Sequence, residues 1–287
     1  MHRYVNCIAN ESSNCSLLIG KEKTAVFDCG MAYCANETKR MIKKAINGRN
    51  LDYIFITHTH YDHVGALPYF RKEWPHVRLV ASDAGARVLE KETPRKVFRE
   101  MSVIAAKMND ISFNPLYDDN AFHADIVIKE NDELALGDLS VKMLETPGHT
   151  KDSVSYLIPE LELLILSETT GVLMSDGDLY PCYLSSFADT VTSIEKCRRI
   201  GCKNISLPHR GVVRGGESID YFNKALAASM SCRDFILELA SKGLSVDEMV
   251  EGFDKRYGTE TLLRCQPKEA FLMNARATIA CTLRERQ

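Results

Sequence analysis

The sequence lacks most of the features that would place it in a specialised class. It has no run of 18 apolar residues, so no transmembrane helix is expected. The opening Met-His-Arg-Tyr-Val-Asn-Cys has no apolar segment of the secretory kind, and cytoplasmic residence is the expectation. The ten cysteines form no Cys-x-x-Cys pair, which leaves a zinc ribbon or thioredoxin-like motif without support. Many of them have apolar neighbours, as in Val26-Phe27-Asp28-Cys29, and read as reduced, buried thiols. There is no Gly-x-Ser-x-Gly elbow and no phosphate-binding loop, so neither a serine hydrolase nor a P-loop enzyme is indicated. The net charge is −3 and the densest cationic cluster is only Lys39, Arg40, Lys43 and Lys44 on an expected surface helix. A nucleic-acid partner is therefore not expected. No repeat and no low-complexity tract is found.

What is present is an ordinary globular chain of 287 residues, 45% hydrophobic and 26% charged, long enough for one large α/β domain with an appendage. Three short strands occupy the first thirty residues. A helix follows over Asn36 to Asn47, then an apolar strand at Tyr53 to Thr57 and another at Val77 to Ala81, with Ser82 capping a helix to Lys91. Residues 94–110 read as a helix, and 111–124 as a polar loop. Strands recur at 125–129, 133–136, 140–146, 153–158 and 161–166. A helix at 189–200 and a strand at Asn204 to Leu207 complete this half. From Glu217 the periodicity is helical only, over Tyr221 to Ser241, Val246 to Tyr257 and Pro267 to Arg284. Two sheets packed face to face with helices outside are compatible with this order. It divides the chain into a catalytic unit over 1–215 and a helical extension over 216–287.

Five of the eight histidines, at 58, 60, 63, 149 and 209, fall just after an expected strand, where sites are usually built. If the chain stays extended past Thr57, then His58, His60 and Asp62 point to one side, and His63 lies on the other side or starts a helix. Pro147-Gly148 forms a tight turn that presents His149, and Leu207-Pro208 leads to His209 in the same way. The apolar run Leu164-Ile165-Leu166 ends in Ser167-Glu168, delivering a carboxylate whose burial would be costly without a cation. Imidazoles and carboxylates suit zinc, iron, manganese or nickel, and two ions can share an activated water.

With these residues in hand, the chain resembles the metallo-β-lactamase superfamily. His58-Thr59-His60-Tyr61-Asp62-His63 matches its His-x-His-x-Asp-His motif, and Phe27-Asp28-Cys29-Gly30 is similar to its early Asp-x-Gly strand end. The motif order agrees over roughly residues 4 to 215. The resemblance implies a four-layer αββα sandwich and a metal-dependent hydrolase with two divalent ions, zinc first, with iron or manganese as alternatives. It implies that His58, His60 and His149 bind one ion and Asp62, His63 and His209 a second. Residue 168 would bridge them, with Asp28 supporting the ligand loop and Asp62 also acting on the nucleophilic water. The bridging position is usually Asp; here it is Glu168, one methylene longer, with Thr169 or Asp176 as substitutes for the role. Within the superfamily the likeness is to glyoxalase II-like enzymes and to the quinolone-signal response thioesterase, through Leu67-Pro68-Tyr69-Phe70, Val80-Ala81-Ser82 and the helical tail.

The expected reaction is hydrolysis of an ester-type bond, thioester or ester, in a small molecule. Residues 94–124, Asp176 to Ser186 and the C-terminal helices are the expected sources of substrate contact. The alternatives are a non-catalytic metal-bearing regulator acting through its helical tail, a phosphodiesterase, and a diiron oxygen-reactive enzyme. The tail could equally serve a homodimer.

Overall fold

Alternation decides the first sheet. Along β1 (Tyr4–Asn10), β2 (Ser13–Ile19), β3 (Thr24–Phe27), β4 (Tyr53–Phe55), β5 (Arg78–Ser82) and β6 (Ile126–Ile128), successive side chains enter two different apolar layers. Leu17, Val26, Ile54 and Leu79 point to one, and Leu18, Phe27, Phe55 and Val80 to the other. Both faces of this sheet are thus covered, as its near-continuous apolar runs require. The computed structural model of the chain describes residues 4–10, 13–113 and 118–286. Part of the expected 111–124 loop, residues 114–117, and the first three residues lie outside these.

The first three strands are antiparallel hairpins, and β3, β4, β5 and β6 run parallel. The parallel connections carry α1 (Ala35–Ile46), α2 (Tyr61–Val64), α3 (Leu67–Glu73), α4 (Asp83–Leu89) and α5 (Glu92–Met108). Ser82 caps α4 by accepting from the Gly85 N–H, as its position suggested.

The second sheet is a meander of β7 (Glu133–Ala135), β8 (Ser140–Glu145), β9 (Val154–Ile158) and β10 (Leu163–Ile165). A separate small hairpin, β11 (Val172–Leu173) and β12 (Leu179–Tyr180), and α6 (Phe187–Ile200) follow. The chain then returns to the sheet through β13 (Asn204–Leu207), parallel to β10, and β14 (Gly211–Arg214) at its edge.

The two sheets meet over Phe27, Phe55 and Tyr156, whose rings lie 5.1–5.2 Å apart. Tyr156 donates its hydroxyl to the Ile56 carbonyl at 2.7 Å, so this buried phenol has its partner across the sheets. Each such side chain contributes about 1.5–3 kcal/mol by leaving water. The outer layers are α1, α3 and their neighbours on the first sheet, and α6 with the start of α7 (Gly216–Ser241) on the second. The result is the four-layer αββα sandwich.

Three further helices, α8 (Val246–Tyr257), α9 (Glu260–Cys265) and α10 (Lys268–Arg284), gather around Phe253, Phe271 and Ile279. Helix α7 serves two layers. Tyr221, Phe222 and Ala225 cover the second sheet, while Cys232, Ile236 and Leu239 join the C-terminal cluster. A boundary at 215/216 coincides with the start of this helix, yet the helix itself completes the sandwich. No helix among the described residues is long and apolar enough to cross a membrane. Eight of the ten cysteines are buried.

The structure adds elements that periodicity missed: α2, α3, α9, β11, β12 and β14. Each spans two to seven residues, too short for a 3.6- or 2-residue repeat to stand out.

Candidate metal centre

The ligand loop begins where β4 ends and is fastened to both sheets. The Thr57 carbonyl accepts from the Val154 N–H of the second sheet at 2.8 Å. The Thr57 N–H and hydroxyl donate to the two Asp28 carboxylate oxygens at 2.8 and 2.9 Å. Farther along, the Thr59 N–H donates to Asp152 Oδ2 at 2.9 Å, and Asp152 is itself buried. Asp28 sits at φ 61 and His209 at φ 60, left-handed conformations that non-glycine residues rarely adopt. Backbone strain of this kind concentrates at functional sites, at about 1–3 kcal/mol each.

The chain does not stay extended past Thr57. His60 is the N-cap of the single turn α2, so Asp62 and His63 both sit on that turn. Asp62 therefore joins His63 rather than lining up with His58 and His60, which corrects the expectation of three ligands on one extended face. The fold then brings His149, Glu168 and His209 to the same place. Two sets of donors result: His58, His60, His149 and Glu168, and Asp62, His63, Glu168 and His209, each with its ligand atoms within 4.8 Å of one another. Glu168 belongs to both. Its Oε2 lies 3.1 Å from His149 Nε2, and its Oε1 lies 2.6 Å from His209 Nε2 and 3.4 Å from His63 Nε2. Thr169, by contrast, donates to the Thr146 carbonyl and accepts from the His149 N–H. Asp176 stands in the exposed turn between β11 and β12. Neither takes the place of Glu168.

Hydrogen bonds set the tautomers. His149 Nδ1 donates to the Cys182 carbonyl at 2.7 Å, leaving a lone pair on Nε2, 2.9 Å from His60 Nδ1. His63 Nδ1 lies 2.9 Å from Asp28 Oδ2 and donates to it, which aims Nε2 at Asp62 and Glu168. The Thr57 hydroxyl proton goes to Asp28, so His58 Nδ1 donates to Thr57 Oγ1 at 3.1 Å. His58 Nε2 is then a bare lone pair, fully buried and without a hydrogen-bond partner. His209 Nδ1 is likewise buried and unpartnered. A buried acceptor with no donor costs about 1–3 kcal/mol. A cation held by His58 Nε2 and its neighbouring donors would satisfy that lone pair. The residues present fit a metal ion.

The charge states of His58 and His149 fit as well. Burial drives the His149 imidazole down to about 3 and His58 well below its ordinary range, so both stay neutral, as ligands must. Burial also opposes charge on His63, but Asp28 and Asp62 outweigh it and raise the imidazole. Burial would raise Glu168, yet the His149, His209 and His63 rings hold it well below the usual carboxylate range.

These directions make a prediction for the protein stripped of metal by chelation. Below about 6.5 the unfolded chain takes up protons on His58 and His149 that the folded chain refuses. Their contribution is complete above that pH and disappears as pH falls. His63 is protonated in both states through this window and does not compensate. Glu168 adds a further loss below about 4.5. Melting of the chelated protein should therefore weaken steadily from pH 6.5 to 4.5, by up to about 1.4 kcal/mol per pH unit for each of the two histidines. A flat profile would refute the buried neutral pair.

Gly148 explains how His149 reaches the site. At φ 139, a Cβ there would meet Thr190 Oγ1 at 2.1 Å and its Cα at 2.7 Å, and the backbone of α6 cannot give way. Gly148→Ala should cost about 3 kcal/mol from strain and overpacking. Thermal melting should register a fall of roughly 5–10 °C, with weakened metal retention. Wild-type melting and metal content would contradict this account.

A cleft of about 150 Å³ opens over the cluster, with His60, Asp62, Glu168 and His209 at its floor. Val97 and Met101 come from α5, Tyr180 and Cys182 from the expected 176–186 segment, and Leu262, Ala270 and Met273 from the C-terminal helices. Tyr183 is instead buried and bonds Thr282, a packing role. The supports from Asp152 and the Cys182 carbonyl had no signal in the sequence, because a lone aspartate and a backbone carbonyl belong to no motif.

The family model described as metallo-beta-lactamase superfamily matches residues 9–209. A hydroxyacylglutathione hydrolase of Bartonella tribocorum is 30% identical over 159 residues, 54% of this chain and 48% of that protein. A probable metallo-hydrolase of Bacillus subtilis is 28% identical over 153 residues, 53% of this chain and 64% of that protein. The chain spans about half or less of the length of the hydroxyacylglutathione hydrolases it matches, 48% and 35% for two of them. Among solved structures, a metallo-beta-lactamase family protein of Thermus thermophilus superposes with a TM-score of 0.61 at 16% identity, covering 98% of this chain and 91% of that one. A superfamily protein of Sulfolobus tokodaii gives 0.60 at 18%, covering 79% and 86%. Likeness at such identity establishes the fold.

Proposed function

Because the chain belongs to the metallo-β-lactamase superfamily, we propose that it is a metal-dependent hydrolase that cleaves an ester-type bond, thioester before ester, in a small molecule. The observation that carries this is Glu168, a buried carboxylate with one oxygen in each of two donor sets. His58, His60 and His149 would hold one ion, and Asp62, His63 and His209 another, with Glu168 shared. Zinc is the first expectation, and iron or manganese suits the same thiolate-free donors. When bound, such cations make water acidic enough to act as hydroxide near neutral pH and polarise the scissile carbonyl.

The chain's own residues do the rest. Asp62 lines the cleft with its Oδ2 3.5–3.6 Å from His63 and His209 Nε2, placed to orient the attacking water and take its proton. Asp28 holds the ring of His63, and the Cys182 carbonyl that of His149, so each presents Nε2. The thioester preference is supported by the hydroxyacylglutathione hydrolases among the relatives.

Protein purified without chelator should carry close to two transition-metal ions per chain by elemental analysis. It should turn over simple acyl thioesters faster than phosphodiesters. Absence of turnover by metal-replete protein across thioesters, esters and phosphodiesters would overturn this reading and favour a metal-bearing regulator acting through its helical tail.

A further inference from the structure

The cleft has two ends of unlike chemistry. The floor holds the histidines and carboxylates. The walls are mainly apolar, with Val97 and Met101 of α5, Leu262 of α9, and Ala270 and Met273 of α10; the two amides on this side, Gln266 and Asn274, face each other with Asn274 Nδ2 3.5 Å from Gln266 Oε1. Arg210 is the one Lys or Arg among the described lining residues, and its Nε is already committed to the Leu173 carbonyl at 2.6 Å. The walls from α9 and α10 lie beyond residue 209, where the family match ends. The surface that would touch the part of a substrate away from the scissile bond is therefore built about half by a segment outside the family match.

The geometry points to an apolar, unsubstituted acyl chain as what this cleft selects, lying along α5, α9 and α10 with its carbonyl at the histidine floor. This inference rests on the hydrolase reading above. In the reaction, a water oxygen adds to the acyl carbon and the C–S bond breaks, releasing a carboxylic acid and a thiol. A hydroxyl on the acyl chain would lose water contacts against Met101, Leu262 and Met273, and the nearby amides of Gln266 and Asn274 are already each other's partners. Each added methylene would instead gain by leaving water. Hydroxyacyl groups, the kind named in the relatives, should thus be poor substrates here.

The test uses the full, metal-replete chain and thioesters of one neutral thiol, N-acetylcysteamine, with acetyl, butyryl, hexanoyl and lactoyl groups. kcat/KM should rise about fourfold per methylene from acetyl to hexanoyl. Hexanoyl should exceed lactoyl by at least tenfold. Met273 is 56% exposed on α10, so Met273→Glu should fold, and it should cut the hexanoyl-to-acetyl ratio tenfold or more. Ile219→Glu, equally exposed on α7 but outside the cleft, should leave that ratio unchanged. A second readout needs no turnover: the S-hexyl thioether of N-acetylcysteamine should bind more tightly by calorimetry than the S-ethyl thioether, with a negative heat-capacity change. A flat or reversed chain-length series, or a preference for lactoyl, overturns the inference. So does equal binding of the two thioethers. Absence of any turnover alongside tighter S-hexyl binding would instead sink the hydrolase reading while supporting the apolar wall.

Discussion

His60→Ala should yield a folded protein that retains little metal and has lost its hydrolytic activity. His60 caps the short turn α2 and faces His149 Nε2 through its own Nδ1 at 2.9 Å. The rings of His58, His60 and His149 stand 4.6–4.7 Å apart, so deleting one removes a third of the imidazoles of that donor set. A metal centre supplies several kcal/mol of transition-state stabilisation, and each 1.4 kcal/mol is tenfold in rate. The fall in kcat/KM should reach about a thousandfold or more. The fold should survive, because none of the buried apolar clusters that hold the sandwich contains His60. Circular dichroism should be unchanged, and melting of the variant should match that of chelated wild type. Full metal content by elemental analysis, with activity intact, would remove His60 from the centre.

Glu168→Gln should be almost as damaging, and for a different reason. The substitution keeps shape and length but replaces an anion by a neutral amide. Glu168 is 6% exposed and faces three imidazoles, so its charge is poorly screened. Two cations brought together without that shared charge would repel, and one site should empty. Metal content should drop from near two ions per chain to one or fewer, with kcat/KM down by about a hundredfold or more. Glu168→Asp separates charge from reach. The charge remains, but the shorter side chain withdraws both oxygens from the two donor sets. It should therefore resemble Glu168→Gln in metal content. If Glu168→Asp were to equal wild type, the extra methylene would have no bearing on the site, and the span from His149 to His209 would need another explanation.

How much of this was legible beforehand follows from the range of each interaction. The strands at Thr24–Phe27 and Tyr53–Phe55, the cap at Ser82 and the long helices of the tail could be read because their signals are local. Alternation, capping and a 3.6-residue period are carried by neighbouring residues. The short elements α2 and β14 were not legible for the same reason, since a turn of four residues has no period to detect. Asp62 shows the consequence. Extended-chain geometry groups it with His58 and His60, whereas one helical turn moves it to His63 and His209.

The sequence by itself determined the donor chemistry: five imidazoles and two carboxylates, no thiolate pair and no serine nucleophile. The family resemblance implied which donors share a centre and that residue 168 spans both, whereas the residues' own local geometry did not. Only the tertiary structure brings those donors together, and it alone decided that Asp152 and the Cys182 carbonyl steady the ligands and that α9 and α10 wall the cleft. The physical reason is separation along the chain. His60 and His149 are 89 residues apart and Thr59 and Asp152 are 93 apart, so nothing local ties one to the other. Their meeting is set by how two sheets stack and where their strands end.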